Sequence, residues 1–396
     1  MIKSFLKKSM IRFPYFVVIA VLLTASLLFP ACAGGSREVY NGFSRESYYF
    51  DTVCKITIYG IESENGLLSS SLICSDFFKE AGFASDISSY TDETKDELCG
   101  RIISECFKEC ARYEDLFRKN IEGSDVYNIN SALGDAVKVS AETFDLISTS
   151  LEFSALSDGL FDITTGTAEE LWDFTGGSDE NSYVIPSESA LREAESHIGW
   201  ENIALDESTL TVALNDPKTH IDLGGIAKGY ISDRLCEFLQ DLGVCSAVIN
   251  LGGNISCVGG MSDSLFVSDT TALNEFSVGI GDPSVETALD SVYTADRLIE
   301  TLSVSSQCVV TSGTYQRYFI LNGVRYHHIL DPGTGMPVAS DICQASVITD
   351  NRHAYAADAL ATICICLGSE KAASLIDKLN ESGIYGELTL ITVKED

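Results

Sequence analysis

Ile221-Asp222-Leu223-Gly224-Gly225-Ile226-Ala227-Lys228-Gly229-Tyr230 is the stretch from which the fold is read. An apolar strand end meets two glycines and then a helix start, so backbone N–H groups lie open at a helix N-terminus. That arrangement can seat a ligand phosphate, with Lys228 as the cation beside it; a plain structural turn accounts for the glycine pair equally well. A second pair, Gly252-Gly253, follows the strand-like Val248-Ile249-Asn250-Leu251 and reads as a bulge or a close backbone approach.

Working outward, Asp51–Gly60 alternates with β-branched residues and is expected as the first strand. Leu98, Ile102, Ile103, Cys106, Phe107, Cys110 and Phe117 fall on one helical face. Helices are also expected from after Ser140 to about Ala155, over Leu191–His197, and from Gly225 to Leu242. Ala247–Val258, Phe276–Ile280, Gln344–Ile348 and Leu388–Val393 read as strands, and His353–Leu367 and Glu370–Leu379 as helices. Residues 62–95, rich in Ser, Asp and Glu, read as a variable, solvated insertion of loop or short helix. Without strict βαβα alternation, the order predicts an α+β fold: one domain of mixed sheets and helices over residues 47–396.

Ahead of it, Lys3, Lys7, Lys8 and Arg12 precede an apolar run from Phe13 to Ala31, so residues 1–31 read as a secretory signal. Cys32 behind a small residue resembles a bacterial lipobox, which makes Cys32 the expected lipidation site; an uncleaved membrane span or free secretion are the alternatives. Residues 32–46 read as a tether. The expected location is the cell membrane, lipid-anchored on the extracytoplasmic face.

The chain has 396 residues, 45% of them apolar, with mean hydropathy +0.12, enough for a substantial core. Its 58 acids against 26 bases give a formal charge of −32, which excludes tight nucleic-acid binding by counterion release. An anionic ligand therefore needs a metal ion or a local ring of donors. The 13 cysteines include no CxxC pair, so neither a zinc module nor a dense disulfide scaffold is indicated.

Three further motifs carry chemistry. Thr311-Ser312-Gly313 precedes His327-His328-Ile329-Leu330-Asp331-Pro332-Gly333-Thr334-Gly335, which joins an imidazole to a turn. In Ala357-Asp358-Ala359-Leu360-Ala361-Thr362, Asp358 and Thr362 share a helical face as hard oxygen ligands for Mg²⁺, or else as a cap and a back-bonded hydroxyl. Phe161-Asp162-Ile163-Thr164-Thr165-Gly166 and Leu171-Trp172-Asp173-Phe174 complete the set.

Taken in order with Phe50-Asp51-Thr52, these motifs resemble the ApbE family of FAD:protein FMN transferases over roughly residues 47–394. The resemblance implies FAD as substrate, Mg²⁺ as cofactor, and transfer of FMN to a Thr or Ser hydroxyl with release of AMP. It implies Gly225 (through its carbonyl), Asp358 and Thr362 as metal ligands. It implies Phe50, Phe117, Leu160, Phe161, Asp162, Asp222, Lys228 and Leu330 around FAD, with Ser312 and Gly313 lining the same pocket. His328 is expected as general base or orienting donor, and Asp358 as essential to the reaction. Some relatives carry a second Asp where Ala361 stands. The family's acceptor motif has Gly-Ala ahead of the modified residue, and this chain has no Gly-Ala dipeptide, so the acceptor flavoprotein is expected in trans: a redox-pump subunit or an extracellular electron-transfer protein. Hydrolysis of FAD to FMN and AMP, or FAD storage, are the alternatives.

Overall fold

Strands of period-two burial and helices with one apolar face build the molecule from Tyr40 onward. The computed structural model describes residues 40–174, 183–284 and 297–395; the segment 1–31 expected as a signal and the expected lipidation site Cys32 lie outside them. Along the chain come β1 (Phe43–Tyr49), β2 (Thr52–Glu64), β3 (Leu67–Leu68), α1 (Ser70–Cys74), α2 (Asp76–Ala81), α3 (Asp92–Phe117) and α4 (Asp125–Ser131). Next are β4 (Val137–Lys138), α5 (Ala141–Leu156), α6 (Gly166–Glu169), α7 (Glu188–Glu195), β5 (Ile203–Asp206), β6 (Thr211–Leu214), α8 (Ala227–Asp241), β7 (Val244–Leu251) and β8 (Asn254–Val258). Then follow β9 (Phe266–Val267), β10 (Phe276–Gly281), β11 (Leu298–Val304), β12 (Gln307–Gly313), β13 (Tyr318–Leu321), β14 (Val324–His327), β15 (Ile342–Asp350), α9 (Ala354–Leu367), α10 (Ser369–Ser382) and β16 (Thr389–Lys394).

A nine-stranded sheet runs β1-β2-β7-β8-β12-β15-β16, with β3 and β9 attached to β2. Only the short β2–β9 contact is parallel among these pairings. Alternation sends Ile56, Ile58, Ile249, Val258, Cys308, Val310, Ala345 and Val347 to the face covered by α3, α8 and α9. The opposite residues Ile255, Cys257, Val309 and Ile348 pack with Phe276, Val278, Ile280 and Val304 of the β10–β11 hairpin. The α+β expectation is met, with the main core between sheet and helices.

Several expectations change in detail. The tether does not reach residue 46: Phe43 to Glu46 already belong to β1, paired with β2 from Ile58 to Lys55. Within residues 62–95, β2 continues to Glu64, the short helices α1 and α2 follow as expected, and Leu68, Leu72 and Phe78 are buried in the main core. Ala247–Val258 is not one strand but the β7–β8 hairpin, whose turn is Gly252-Gly253 with φ of 63° and 98°, the left-handed pair that a tight two-residue turn requires. Ile221 to Leu223 join no strand; the Asn130 side chain brackets Ile221 by donating to its carbonyl (3.0 Å) and accepting from its N–H (2.8 Å), and so takes the place of a neighbouring strand.

Helices α8 and α9 touch at Gly229. A Cβ there would overlap the Ala354 carbonyl oxygen and come within 2.8 Å of the Asp358 Cβ. One turn along, Asp233 of α8 accepts the Ala354 and Tyr355 N–H groups at 2.9 and 3.0 Å and so caps α9. Gly229→Ala is expected to lower stability by about 3 kcal/mol, the upper end for overpacking, because the obstacle is backbone; a urea midpoint unchanged from the parent chain would contradict this close contact.

Candidate active site

The N-terminal corner of α8 and the second turn of α9 build the centre of the site. The Gly229 N–H, one of the first-turn donors of α8 that have no partner within the helix, donates to Asp358 Oδ2 at 2.9 Å. The Gly225 carbonyl lies just ahead of the α8 ladder, whose first acceptor is Ile226. The second carboxylate oxygen, Oδ1, lies 3.9 Å from Lys228 Nζ. One turn further along α9, Thr362 Oγ1 lies 3.2 Å from Ser312 Oγ at the end of β12. The structure thus brings together Gly225, Lys228, Ser312, Asp358 and Thr362. Gly313 follows Ser312 and is buried, close against the Tyr315 ring. Among the described residues no group of three or more His, Cys, Asp or Glu forms a cation cage. The available donors are one buried carboxylate with neutral oxygens, a set that suits Mg²⁺ sharing its shell with phosphate and water.

Phe161 closes the corner: its ring lies 3.1 Å from where a Cβ on Gly225 would sit. Asp222 is tied in by its N–H, which donates to the Ile163 carbonyl at 2.8 Å, and by Oδ1, which accepts from Gly224 N–H at 2.6 Å. Lys119, which sequence reasoning missed, bridges Asp222 Oδ2 (2.9 Å) and Glu169 Oε2 (2.7 Å). Burial opposes the charge on Asp222, but Lys119 and the Gly224 N–H outweigh it and hold this carboxyl below its usual range. Burial and the Asp222 charge push Glu169 up. Arg317, also missed, adds a positive field felt by Asp222, Glu169 and His328. Neither cation stands in a recognisable motif; each gains its place from distant segments.

His328 receives its setting from Arg317, whose carbonyl accepts from both the His328 N–H (3.1 Å) and the ring at Nδ1 (3.3 Å). A carbonyl only accepts, so Nδ1 carries the proton and Nε2 keeps the lone pair. Burial, then the charges of Arg317, His327 and Lys228, hold the His328 pKa well below the ordinary value, so the ring is neutral at physiological pH although it keeps an opening to solvent.

Phe50 and Asp51 form the β1–β2 turn at φ of 55° and 58°, a strained setting for residues with side chains. Glu114 and Arg118 hold it, the first accepting the Phe50 N–H at 2.8 Å and the second pairing with Asp51 at 3.0 Å. The Phe50 ring is half-buried, and Leu160 is half-buried beside Phe161. Three of the residues expected around FAD also have partners within the protein. Phe117 is buried, stacked on Tyr113 at 5.5 Å and edge-on to Tyr230. Asp162 spends its oxygens on Thr164 N–H and Oγ1 and on Trp200 N–H, as a buried turn cap. Leu330 belongs to a separate apolar cluster with Trp172, Phe174 and Phe319. The Asp-Pro-Gly-Thr-Gly segment is a turn, with Asp331 accepting from Gly333 N–H at 2.9 Å.

The ApbE family model matches residues 51–385. Among curated relatives, an FAD:protein FMN transferase of Klebsiella pneumoniae is 34% identical over 278 residues, 69% of this chain and 78% of the relative. One of Treponema pallidum is 32% identical over 280 residues, 69% and 73% of the two chains. The crystal structure of the ApbE protein of Thermotoga maritima superposes with a TM-score of 0.66 at 26% identity, covering 89% of this chain and 94% of that one. The flavin transferase ApbE of Vibrio cholerae has the same fold, at 20% identity and a TM-score of 0.65 over 89% and 93% of the two chains.

Removal of the Lys119 charge leaves Asp222 and Glu169 facing each other. Lys119→Met is expected to cost about 2 kcal/mol at pH 7, a buried-pair figure discounted for partial solvent access. The deficit should shrink as pH falls and Glu169 takes up a proton; a deficit independent of pH in chemical denaturation would argue against the bridge. The histidines should separate in an NMR titration. His327, lowered by burial to about 4, and His328 should stay neutral below pH 6, whereas His197 beside Asp216 and His220 beside Glu170 should charge above the ordinary value. In linkage terms, His327 and His328 bind fewer protons folded than unfolded, so their contribution to stability falls as pH drops below about 6.5.

Proposed function

The chain belongs to the ApbE family, and from that membership we propose that it transfers the FMN moiety of FAD to a Thr or Ser hydroxyl of an acceptor protein, releasing AMP. The observation that carries this reading is the meeting of the Leu223-Gly224-Gly225 corner with Asp358 of α9 through Gly229. Two segments 129 residues apart there place a carboxylate, a hydroxyl and the Gly225 carbonyl beside a lysine at a helix N-terminus. That is a seat for a diphosphate with a divalent cation.

Gly225, Asp358 and Thr362 would hold Mg²⁺, which supplies charge compensation for the diphosphate and for the leaving AMP. Lys228 faces the same anion, and the N-terminus of α8 adds its partial positive charge. Phe161, beside Gly225, and the half-buried Phe50 would offer flat surfaces for the rings of FAD. His328, neutral with Nε2 free, accepts the acceptor hydroxyl's proton as its oxygen attacks the FMN phosphorus; the bond from that phosphorus to the bridging oxygen breaks and AMP departs. The acceptor is modified in trans, consistent with the absence of a Gly-Ala dipeptide from this chain. We place the protein at the extracytoplasmic face of the membrane, lipidated on Cys32. With a formal charge of −32 it is repelled by anionic headgroups, so the anchor does the holding.

The test incubates the protein with FAD, Mg²⁺ and an acceptor fragment and reads the fragment's mass. A gain of one FMN, with AMP released, is expected; free FMN with AMP and an unmodified fragment would instead mean hydrolysis. Asp358→Asn, which keeps the shape and can still accept the Gly229 N–H, should reduce transfer by roughly 100-fold or more. Full activity of that variant would remove Asp358 from the metal site.

A further inference from the structure

Asn254, the first residue after the Gly252-Gly253 turn, is only 2% exposed, yet its Nδ2 finds no hydrogen-bond partner. Leaving a buried amide donor unpaired costs about 1–3 kcal/mol, and an apolar residue of the same shape would avoid that cost. Its direction is fixed by alternation along β8. Ser256 and Val258 face the helices, with Ser256 Oγ 2.8 Å from Ser232 Oγ of α8, whereas Ile255 and Cys257 face the β10–β11 hairpin. Asn254 therefore points to the helix side with Ser256, two residues nearer the turn.

The position along α8 follows from the same contacts. β7 begins directly after α8 and returns beneath it, so its Leu251 end lies under the first turn of the helix, and Leu251 is paired with Asn254. Lys228 stands four residues, one turn, before Ser232. Its charge also bears on the Cys54 thiol, and Cys54 is the residue paired with Leu251 on the other side. The orphaned donor thus lies on the sheet floor below the turn that carries Gly225 and Lys228.

We propose that Asn254 is a binding residue whose Nδ2–H donates to a phosphoryl oxygen of the dinucleotide held at the α8 corner. The assignment rests on the proposed FAD-binding reading and adds a neutral donor from the sheet to the cation and helix terminus above. Ligand binding then satisfies a donor that the protein alone leaves unmatched.

The test compares the parent chain with Asn254→Leu and Asn254→Asp, measuring FAD affinity by calorimetry with Mg²⁺ and thermal stability without ligand. Asn254→Leu should weaken FAD binding about tenfold, the loss of one hydrogen bond to a charged acceptor, while the ligand-free melting temperature stays level or rises. Asn254→Asp sets a carboxylate against the phosphate and should bind FAD more weakly still. FAD affinity within twofold of the parent in Asn254→Leu, or parent-like binding by Asn254→Asp, would overturn the assignment. So would a ligand-free Asn254→Leu protein whose melting temperature falls along with its affinity, since the amide would then be satisfied in the empty protein. If the parent itself fails to bind FAD, the functional reading falls with it; if the parent binds and the variants match it, only the role of Asn254 is lost.

Discussion

The hydrogen bond from the Gly229 N–H to Asp358 is the joint on which the site hangs. Without a side chain on Gly229, α8 and α9 approach until the carboxylate reaches a first-turn N–H that has no partner within its own helix. Asp233 repeats the device one turn later by capping α9 with its own carboxylate. Two acids on neighbouring helices are thus used in opposite directions, Asp358 reaching back to α8 and Asp233 reaching out to α9. Beneath them the antiparallel strands fix Ser312 under Thr362 and Asn254 under the α8 corner.

Charge is organised locally against the overall trend. A chain with 58 acidic side chains cannot draw an anion by its net field, and long-range attraction is screened within about 8–10 Å at ordinary salt. Lys119, Lys228 and Arg317 are instead gathered at one place. Lys119 is largely neutralised by Asp222 and Glu169, whereas Lys228 stays 3.9 Å from Asp358, too far for a tight ion pair. A loosely paired cation is available to a ligand; a doubly paired one is structural.

The Leu223-Gly224-Gly225 corner and the Asp358–Thr362 pair were legible in the sequence because local spacing alone sets a helix start and a helical face. The α+β class followed from the irregular order of strands and helices. Phe117 lies on the same helical face as Leu98, Ile102 and Cys110, and that face packs into the core as the periodicity of the sequence indicates. Lys119, Glu169 and Arg317 left no local signal, since their meeting depends on segments about 50 to 200 residues apart, which no periodicity encodes. The β7–β8 turn was hidden because strong β propensity on both sides of Gly252-Gly253 masks the reversal between them.

The division of the site between residues 225 and 362 has a temporal meaning. A chain that emerges N-terminus first carries its glycine corner into the open long before α9 exists to complete it. The nucleotide therefore meets half a seat throughout synthesis, and occupancy becomes a property of the finished molecule alone.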